Sequence, residues 1–316
     1  MTSSATAEAH PNIALVKYWG KEDDVLNIPS SPSLSLTIDR LSAHTRVLPG
    51  SDSFLLNGEL VQDPKTRAWT DRIRRELHLP AFGIESSTNF PVGSGLASSA
   101  AGFAALVTAV DSAFELGMSD AERSRWARLG SASAARSIFG GFCALEPRDG
   151  DCETSALFGR SHWDLEVVVA VTSRRRKPVS STEGMVRCKE TSPYFASWLQ
   201  SCGEDFAAMR PAVASKDFEH VGEIAESNCL RMHAVMMGAV PPLVYWNATT
   251  LAVIDSLVLL REAGIRVFYT IDAGPQVKAV CADGSGAFVR ERLRKVPGVL
   301  EAVLCRVGEG ARVKGN

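Results

Sequence analysis

The strongest local signal in the sequence is the stretch Pro91-Val92-Gly93-Ser94-Gly95-Leu96-Ala97-Ser98-Ser99-Ala100-Ala101-Gly102. Its glycines let the backbone aim several N–H groups at one point, and a helix of small residues is predicted to begin near Ser98. An anion in such a nest also meets the positive end of the helix dipole, and the hydroxyl groups of Ser98 and Ser99 could bind phosphate or Mg²⁺. Local physics alone leaves two interpretations open, a phosphate-binding loop and a small-residue helix packed closely on a sheet.

The composition is that of a globular protein rather than of a disordered chain. Of the 316 residues, 45% are hydrophobic and 22% are charged, and the formal net charge is −2. A chain of this length is expected to form one or two domains, each able to bury its own core. The charge balance gives no general attraction to nucleic acid or to a membrane surface, so we expect an anionic ligand to bind at a local site.

The cysteines and the N-terminal residues indicate in which cellular compartment the protein is expected. The seven cysteines are scattered, their number is odd, and no C-x-x-C spacing occurs, which argues against a disulfide framework or a zinc site. Residues 1–10 lack the basic patch and apolar segment of a signal peptide. No stretch reaches the ~20 apolar residues that a membrane-spanning helix needs. We therefore predict a cytoplasmic protein with reduced thiols.

The hydrophobic periodicity predicts strands and helices in both halves of the chain. Trp69, Ile73 and Leu77 share one helix face, and Ser119 with Glu122 forms a capping box that predicts a further helix start. Strands are predicted at residues 12–19, 33–38, 45–48, 83–90, 165–172, 267–271, 276–281 and 299–304. Helices are predicted at residues 66–77, 98–116, 119–129, 192–201, 217–237, 248–263 and 287–295.

A charged, Pro-broken stretch at residues 173–179 predicts a domain boundary. We divide the chain into residues 1–175 and 176–316, two α/β or α+β units, and expect a ligand in the cleft between them. The basic run at residues 174–177 is interpreted as a solvated surface face, with a weaker role in drawing anions towards the cleft.

Three charged residues are candidates for chemistry, each with a structural alternative. Asp272 follows an apolar strand and precedes Ala-Gly-Pro, so it is either a general base or a turn-forming Asp. Arg136 lies where a Ser/Ala-rich segment is predicted to open a helix, and could hold a carboxylate with two hydrogen bonds or form a surface ion pair. Lys17 lies in an apolar segment, and its residues alone favour a lysine that protects the edge of a sheet over a catalytic one.

The sequence resembles the diphosphomevalonate decarboxylases of the GHMP kinase superfamily. Seven blocks in chain order carry the resemblance, and together they span most of the chain. They are Asn12-Ile-Ala-Leu-Val-Lys-Tyr-Trp-Gly-Lys21, Gly95-Leu-Ala-Ser-Ser-Ala-Ala-Gly102, Gly130-Ser-Ala-Ser-Ala-Ala-Arg-Ser-Ile-Phe-Gly-Gly141, Val179-Ser-Ser-Thr-Glu-Gly-Met185, Glu190-Thr-Ser192, Leu230-Arg-Met-His-Ala234 and Ile271-Asp-Ala-Gly-Pro275. A single block would be weak support, but seven in register are not expected by chance.

The resemblance implies a two-domain α+β GHMP fold with the active site in the cleft between the domains. The N-terminal domain is expected to be like domain 2 of ribosomal protein S5, and the C-terminal domain to be ferredoxin-like. It further implies ATP-dependent decarboxylation of diphosphomevalonate to isopentenyl diphosphate, with Mg²⁺, through phosphorylation of the 3-hydroxyl group. The expected partners are this substrate, ATP and a second copy in a homodimer, with neither nucleic acid nor membrane.

The same resemblance assigns roles to residues of this chain. Asp272, Arg136 and Lys17 are expected to be catalytic, with Arg136 on the substrate carboxylate. The expected substrate-binding residues are Tyr18, Lys21, Ser131, Ser133 and Ser181. The expected ATP-binding residues are Gly93, Ser94, Gly95, Leu96, Ala97, Ser98 and Ser99, and Ser99 is also a candidate Mg²⁺ contact, mainly through ATP.

Two alternatives remain open on the sequence. One is a decarboxylase of phosphomevalonate, the monophosphate, because such enzymes keep the same catalytic set. The other is a catalytically silent GHMP-fold sensor that binds ATP and a small molecule. Mevalonate 3-kinases are disfavoured because they lack the set of Lys17, Arg136 and Asp272. Ala132 stands where family members generally have Gly, so a tighter local backbone is expected there.

Overall fold

The computed structural model describes residues 3–90 and 98–315. The strands of the N-terminal half are β1 (Ala5–Ala9), β2 (Asn12–Val16), β3 (Lys21–Asp23), β4 (Ile28–Pro29), β5 (Ser33–Thr37), β6 (Ala43–Pro49), β7 (Phe54–Leu56), β8 (Glu59–Leu60), β9 (Phe82–Thr88), β10 (Phe142–Arg148) and β11 (Asp151–Phe158). Its helices are α1 (Pro64–Glu76), α2 (Ser98–Ala113), α3 (Asp120–Gly130) and α4 (Ala134–Ser137).

The C-terminal half contains more helix. Its strands are β12 (Glu166–Val171), β13 (Val267–Ile271), β14 (Val277–Cys281), β15 (Glu301–Arg306) and β16 (Arg312–Lys314). Its helices are α5 (Ser181–Thr191), α6 (Phe195–Ser215), α7 (Phe218–Met237), α8 (Ala248–Glu262) and α9 (Gly286–Leu293). Among the helices of the described residues, none is both long and apolar enough to cross a bilayer. All seven cysteines are unpaired.

Two larger sheets and helix α2 build the N-terminal half. The first sheet has the order β16-β1-β6-β9-β7-β8, and the second has the order β11-β10-β5-β2. Helix α2 lies against β1 and β6, and its Ala100, Ala101, Ala104 and Ala105 are fully buried. Small side chains let this helix approach the sheet closely, and Ser98 and Ser99 of its first turn line a cavity.

The third sheet has the strand order β13-β14-β12-β15, with every neighbouring pair antiparallel. Helices α5 to α8 connect β12 to β13, and α9 connects β14 to β15, which is the β-α-β-β-α-β connection of a ferredoxin-like unit. This sheet already begins at Glu166, before the predicted division at residue 175, and β16 returns to pair with β1. The predicted domain limits remain a prediction.

Most of the predicted elements are present. The capping box of Ser119 and Glu122 is formed at the start of α3, and Trp69 and Ile73 of α1 are buried as the periodicity predicts. The structure adds elements that the sequence interpretation missed: helix α5 and strands β1, β3, β4, β7, β8, β10, β11 and β16. It also extends α6 to Ser215, although Pro211 lies within that helix.

Candidate active site

Lys17 follows the last residue of β2 and is anchored by helices of the C-terminal half. Its backbone N–H donates to Oδ1 of Asn228 at 2.7 Å, and its carbonyl oxygen accepts from the Cys202 thiol at 3.4 Å. The side chain is 1% exposed, and Nζ lies 2.7 Å from Oδ1 of Asp272. Lys17 is therefore half of a buried ion pair rather than a residue that protects a sheet edge.

Asp272 directly follows β13 and is held by two lysines. Nζ of Lys17 lies 2.7 Å from Oδ1, and Nζ of Lys278 lies 2.7 Å from Oδ2. Burial raises the pKa of the Asp272 carboxyl, but the two ammonium groups outweigh burial and hold this pKa well below its usual range. The side chain remains 25% exposed. An ionised carboxylate with one open side can accept a hydrogen bond from a ligand hydroxyl group, which favours the general-base interpretation.

Arg136 lies in α4 and is 2% exposed. Its Nε donates to Oγ of Ser35 at 2.9 Å, and its Nη1 donates to Oγ of Ser33 at 2.5 Å. Oδ1 of Asn12 accepts longer bonds of 3.3 Å from Nε and Nη2. Burial lowers the pKa of the guanidinium to about 10, so it stays protonated near neutral pH. These neutral partners orient the planar group without cancelling its charge, which suits it to bind a ligand carboxylate.

A chain of hydroxyl groups connects the predicted ATP-binding and substrate-binding regions. Oγ of Ser131 lies 3.2 Å from Oγ of Ser99 and 3.2 Å from Oγ of Ser133. Ser99 belongs to the first turn of α2, while Ser131 and Ser133 precede the turn of helix that contains Arg136. Residues predicted to contact two different ligands are thus neighbours in the fold.

Tyr18 and Lys21 lie on either side of a bend at Gly20, where φ is +123°. Gly permits this backbone conformation, and the bend breaks the strand alternation between Lys17 and Lys21, which nevertheless line the same cavity. The Tyr18 hydroxyl is buried and has no hydrogen-bond partner among the described residues, and burial raises its pKa. Lys21 is largely buried, with Nζ 3.4 Å from Oδ1 of Asp24. A protonated phenol and an ammonium group at this position can both bind an anion.

A cavity of about 1180 Å³ brings together side chains from both halves of the chain. Every predicted site residue that the structure describes lines this cavity: Lys17, Tyr18, Lys21, Ser98, Ser99, Ser131, Ser133, Arg136, Ser181 and Asp272. The other predicted ATP-binding residues, Gly93, Ser94, Gly95, Leu96 and Ala97, lie outside the described residues. The structure therefore places the described candidates at one site, while their individual roles remain predictions.

The sequence interpretation missed four sets of residues at this site. Lys278 is a charged residue inside an apolar strand, which is a signal that the sequence does contain. Lys177 donates through Nζ to Oγ of Ser181 at 2.6 Å and to the carbonyl oxygen of Ala273 at 2.9 Å. The interpretation of residues 174–177 as a solvated face holds for the exposed Arg174 and Arg175, whereas the exposed Arg176 and the half-buried Lys177 line the cavity. Asn12 and the serines that hold Arg136, and Asn228 behind Lys17, were not predicted either.

The residues around the cavity fit a magnesium nucleotide. The N-terminal turn of α2, with Ser98 and Ser99, and the ammonium groups of Lys17 and Lys177 face the same space, as an ATP polyphosphate requires. No group of three or more His, Cys, Asp or Glu side chains among the described residues could hold a metal ion. Mg²⁺ is commonly bound through nucleotide phosphates and water with few protein ligands, so this site suits a metal ion that arrives with ATP.

The fold and this cavity define an enzyme of two α+β units with its active site between them. Two family descriptions match consecutive parts of the chain. The diphosphomevalonate decarboxylase-like N-terminal domain matches residues 9–156, and the mevalonate 5-diphosphate decarboxylase C-terminal domain matches residues 167–296. Both matches follow the same order as the seven sequence blocks.

Curated relatives and solved structures agree with these matches. Diphosphomevalonate decarboxylase of Candida albicans is 36% identical over 298 residues, covering 86% of this chain and 82% of that protein. The enzyme of the same name from Saccharomyces cerevisiae is 35% identical over 330 residues, covering 94% and 83%. Mevalonate diphosphate decarboxylase of Staphylococcus aureus has a TM-score of 0.92 at 34% identity, covering 100% of this chain and 99% of that chain.

A further structure, described as MDDEF in complex with MVAPP, AMPPCP and magnesium, has a TM-score of 0.91 at 35% identity and covers 99% of both chains. The chain belongs to the diphosphomevalonate decarboxylase family.

Proposed function

We propose that this protein uses ATP and Mg²⁺ to convert (R)-5-diphosphomevalonate to isopentenyl diphosphate in the mevalonate pathway. The observation that carries the proposal is the placement of the Asp272 carboxylate and the Arg136 guanidinium on one cavity, beside the first turn of α2. The relatives named diphosphomevalonate decarboxylase, and the structure described with MVAPP, AMPPCP and magnesium, support it.

Asp272 is the proposed partner of the 3-hydroxyl group. ATP supplies the phosphoryl group that is transferred to this oxygen. As the new P–O bond to the 3-oxygen forms, the bond between the γ-phosphorus and ADP breaks, ADP leaves with its electron pair, and the hydroxyl proton passes to Oδ1 of Asp272. Because the two lysines keep this carboxylate ionised, it accepts the proton only once the acidity of the hydroxyl group has risen in the transition state. Before that point it orients the alcohol by accepting its hydrogen bond.

Lys17 is the proposed stabiliser of charge on the phosphoryl group. Its Nζ lies at Asp272 and faces the cavity, so one ammonium group can reach both the base and an incoming phosphate. Negative charge builds up on the phosphoryl oxygens in the transition state. A cation already held beside them therefore stabilises the transition state more than the ground state.

Arg136 is the proposed carboxylate clamp for the second step. In that step the C–CO₂ bond breaks, its electron pair forms the carbon–carbon double bond, and phosphate leaves C3 with the C–O electrons. The breaking C–CO₂ bond must be aligned with the breaking C3–O bond for the double bond to form. The carboxylate therefore has to be held in one orientation. The bonds from Arg136 to Ser33, Ser35 and Asn12 fix the guanidinium itself.

The diphosphate is proposed to bind near Tyr18 and Lys21, with Ser131, Ser133 and Ser181 as further substrate contacts. The unpartnered Tyr18 hydroxyl supports this, because a buried donor without a partner is costly until a ligand supplies an acceptor. Ser181 is close to a cation through its bond with Lys177.

The decisive experiment is a CO₂-release assay with ATP and Mg²⁺, run in parallel on the mono- and diphosphate of mevalonate. We expect release of CO₂, phosphate and ADP in equal amounts from the diphosphate. Faster turnover of the monophosphate would reassign the substrate to phosphomevalonate. Binding of ATP without any CO₂ release would replace the enzyme by the sensor interpretation.

We also propose a homodimer, a cytoplasmic location, and the domain limits 1–175 and 176–316 predicted from the sequence. Sedimentation velocity would test the first, and fractionation of the source cells the second. The domain limits can be tested by limited proteolysis, because exposed linkers between domains are cleaved first.

A further inference from the structure

Lys278 is a buried charge in the middle of a sheet. It lies on β14, paired across the ladder with Val169 of β12 and Thr270 of β13, and it is 2% exposed. On the same strand face, Val280 belongs to the hydrophobic core shared with the N-terminal half. An ammonium group in such surroundings is strongly unfavourable unless it is paired with an anion. A structural role alone would be filled better by an apolar side chain.

The two lysines hold different oxygens of Asp272. Nζ of Lys17 lies at Oδ1 and Nζ of Lys278 lies at Oδ2, both at 2.7 Å. Asp272 lines both the large cavity and a small crevice; Lys17 lines the large cavity, whereas Lys278 lines the crevice with Pro11 and Val169. A ligand in the cavity can therefore compete with Asp272 for Lys17 but not for Lys278.

The remaining groups around Asp272 do not duplicate the contact of Lys278. On α7, burial lowers the pKa of His233 to about 3 and raises that of the Cys229 thiol, so both are neutral near neutral pH. Nζ of Lys177 is bonded to the carbonyl oxygen of Ala273 and to Ser181. The guanidinium of Arg136 is bonded to Ser33, Ser35 and Asn12.

We propose that Lys278 is a positioning residue for the reaction proposed above: it holds the Asp272 carboxylate in place while Lys17 turns to the phosphoryl group. The inference rests on the proposed function. When the Lys17 ammonium group moves from Asp272 to the phosphoryl group, Oδ1 of Asp272 becomes free to accept the hydroxyl proton. The ion pair of Oδ2 with Lys278 then prevents the carboxylate from rotating. The two lysines therefore have different roles: Lys17 binds the phosphoryl group, and Lys278 keeps the Asp272 carboxylate in position.

The sign of the pH effect follows from charge. Removing the Lys278 ammonium removes an interaction that lowers the pKa of Asp272, so this pKa rises and the carboxylate takes up a proton at a higher pH. The acid limb of the kcat profile should then move to higher pH. An opposite charge in contact typically changes a carboxyl pKa by about 1–3 units, which sets the expected displacement.

The test compares Lys278→Gln with Lys278→Arg and with Val280→Ala. Val280→Ala removes apolar volume from the same strand face and leaves all charges in place, so it controls for structural loss. In Lys278→Gln we expect kcat at neutral pH to fall on the order of 10²-fold, as for a misplaced catalytic group, with KM for ATP changing less than about threefold. Its acid limb should lie at higher pH, whereas the limbs of Lys278→Arg and Val280→Ala should match wild type.

A second variant and a second measurement keep the proposal open to refutation. Lys278→Met avoids an unpaired buried amide, and it should show the same displaced limb if Lys278→Gln does not fold. Carboxyl ¹³C NMR on aspartate-labelled protein, with Asp272→Asn to assign the signal, should show Asp272 titrating at higher pH in Lys278→Met. This readout does not need turnover. A folded Lys278→Met with the wild-type limb and the wild-type Asp272 signal would overturn the proposal. Absence of CO₂ release from the wild type would instead refute the proposed function.

Discussion

The side chain of Asn228 accepts a 2.7 Å hydrogen bond from the backbone N–H of Lys17, across 211 residues of sequence. Asn228 is fully buried on α7, and its Nδ2 donates to Oδ2 of Asp205 at 2.8 Å. Oδ2 of Asp205 also accepts from Nη1 of Arg231 at 2.9 Å. The C-terminal half thus fixes the backbone of a residue from the first strands, and with it the direction of the Lys17 ammonium group.

We predict that Asn228→Leu lowers both stability and kcat. The change keeps the approximate volume but leaves the Lys17 N–H unsatisfied in the interior, which costs about 1–3 kcal/mol of unfolding free energy. Urea denaturation and CO₂ release measure the two effects. Ser227→Ala is the matched control, because Ser227 contacts Arg231 at 2.8 Å but not Lys17. Wild-type kcat in a destabilised Asn228→Leu would show that Asn228 is structural only.

Asp272→Asn should reduce kcat by about 10³-fold or more, because it removes the proton acceptor while keeping the shape of the side chain. We expect ATP affinity to change little, since the first turn of α2 and its serines are untouched. Two buried ammonium groups then lack their carboxylate, so the stability of the variant must be measured beside its kcat and ATP Kd. Retention of a tenth of wild-type turnover in a folded variant would contradict the general-base assignment.

The sequence predicted the fold well where local patterns and tertiary packing agree. The capping box of α3 and the continuous apolar run of β12 are such cases. Helix α6 is the opposite case, because Gly203 and Pro211 are residues that usually interrupt a helix. The helix continues past both of them, since burial of Phe206, Met209 and Val213 outweighs the local preference. The β10–β11 hairpin was missed although Asp149-Gly150, both with positive φ, is a strong turn signal.

The catalytic candidates could be named from the sequence because short motifs surround them, whereas their supporting contacts could not. Ser33 and Ser35 alternate with buried Leu34 and Leu36, which predicts a strand but does not reveal that its polar face holds Arg136. Asn228 carries no local signal, because its partner lies in another half of the fold. Such contacts depend on which distant elements meet, and one sequence does not contain that information.

We predict a fall in kcat/KM above pH about 8 that Lys177 controls. Burial lowers the pKa of Lys177 to about 8, so its ammonium charge is present below this pH and lost above it. The ammonium charge therefore favours binding of an anionic substrate only at pH values below this pKa. In Lys177→Arg the guanidinium stays protonated, so the fall should move to higher pH even if the variant is slower overall.

Lys65→Arg is the comparison for this experiment. Lys65 faces the same cavity, and burial together with the charge of Lys21 lowers its pKa to about 8 as well. Because Lys177 is bonded to Ser181 and to the residue after Asp272, we expect its substitution to move the profile further than that of Lys65. An unchanged profile in Lys177→Arg, with a moved profile in Lys65→Arg, would assign the limb to Lys65.

Arg136→Lys should separate phosphoryl transfer from decarboxylation. Lysine supplies a charge but not the planar group, and it cannot reproduce the bonds to Ser33, Ser35 and Asn12 together. A misplaced carboxylate should slow CO₂ release on the order of 10²-fold or more. Phosphoryl transfer depends more directly on Asp272 and the ATP site, so the 3-phosphorylated intermediate should accumulate. A quenched reaction with γ-labelled ATP, followed for phosphate on the organic product and for CO₂, measures both steps. Release of CO₂ at the wild-type rate would show that Arg136 does not hold the departing carboxylate.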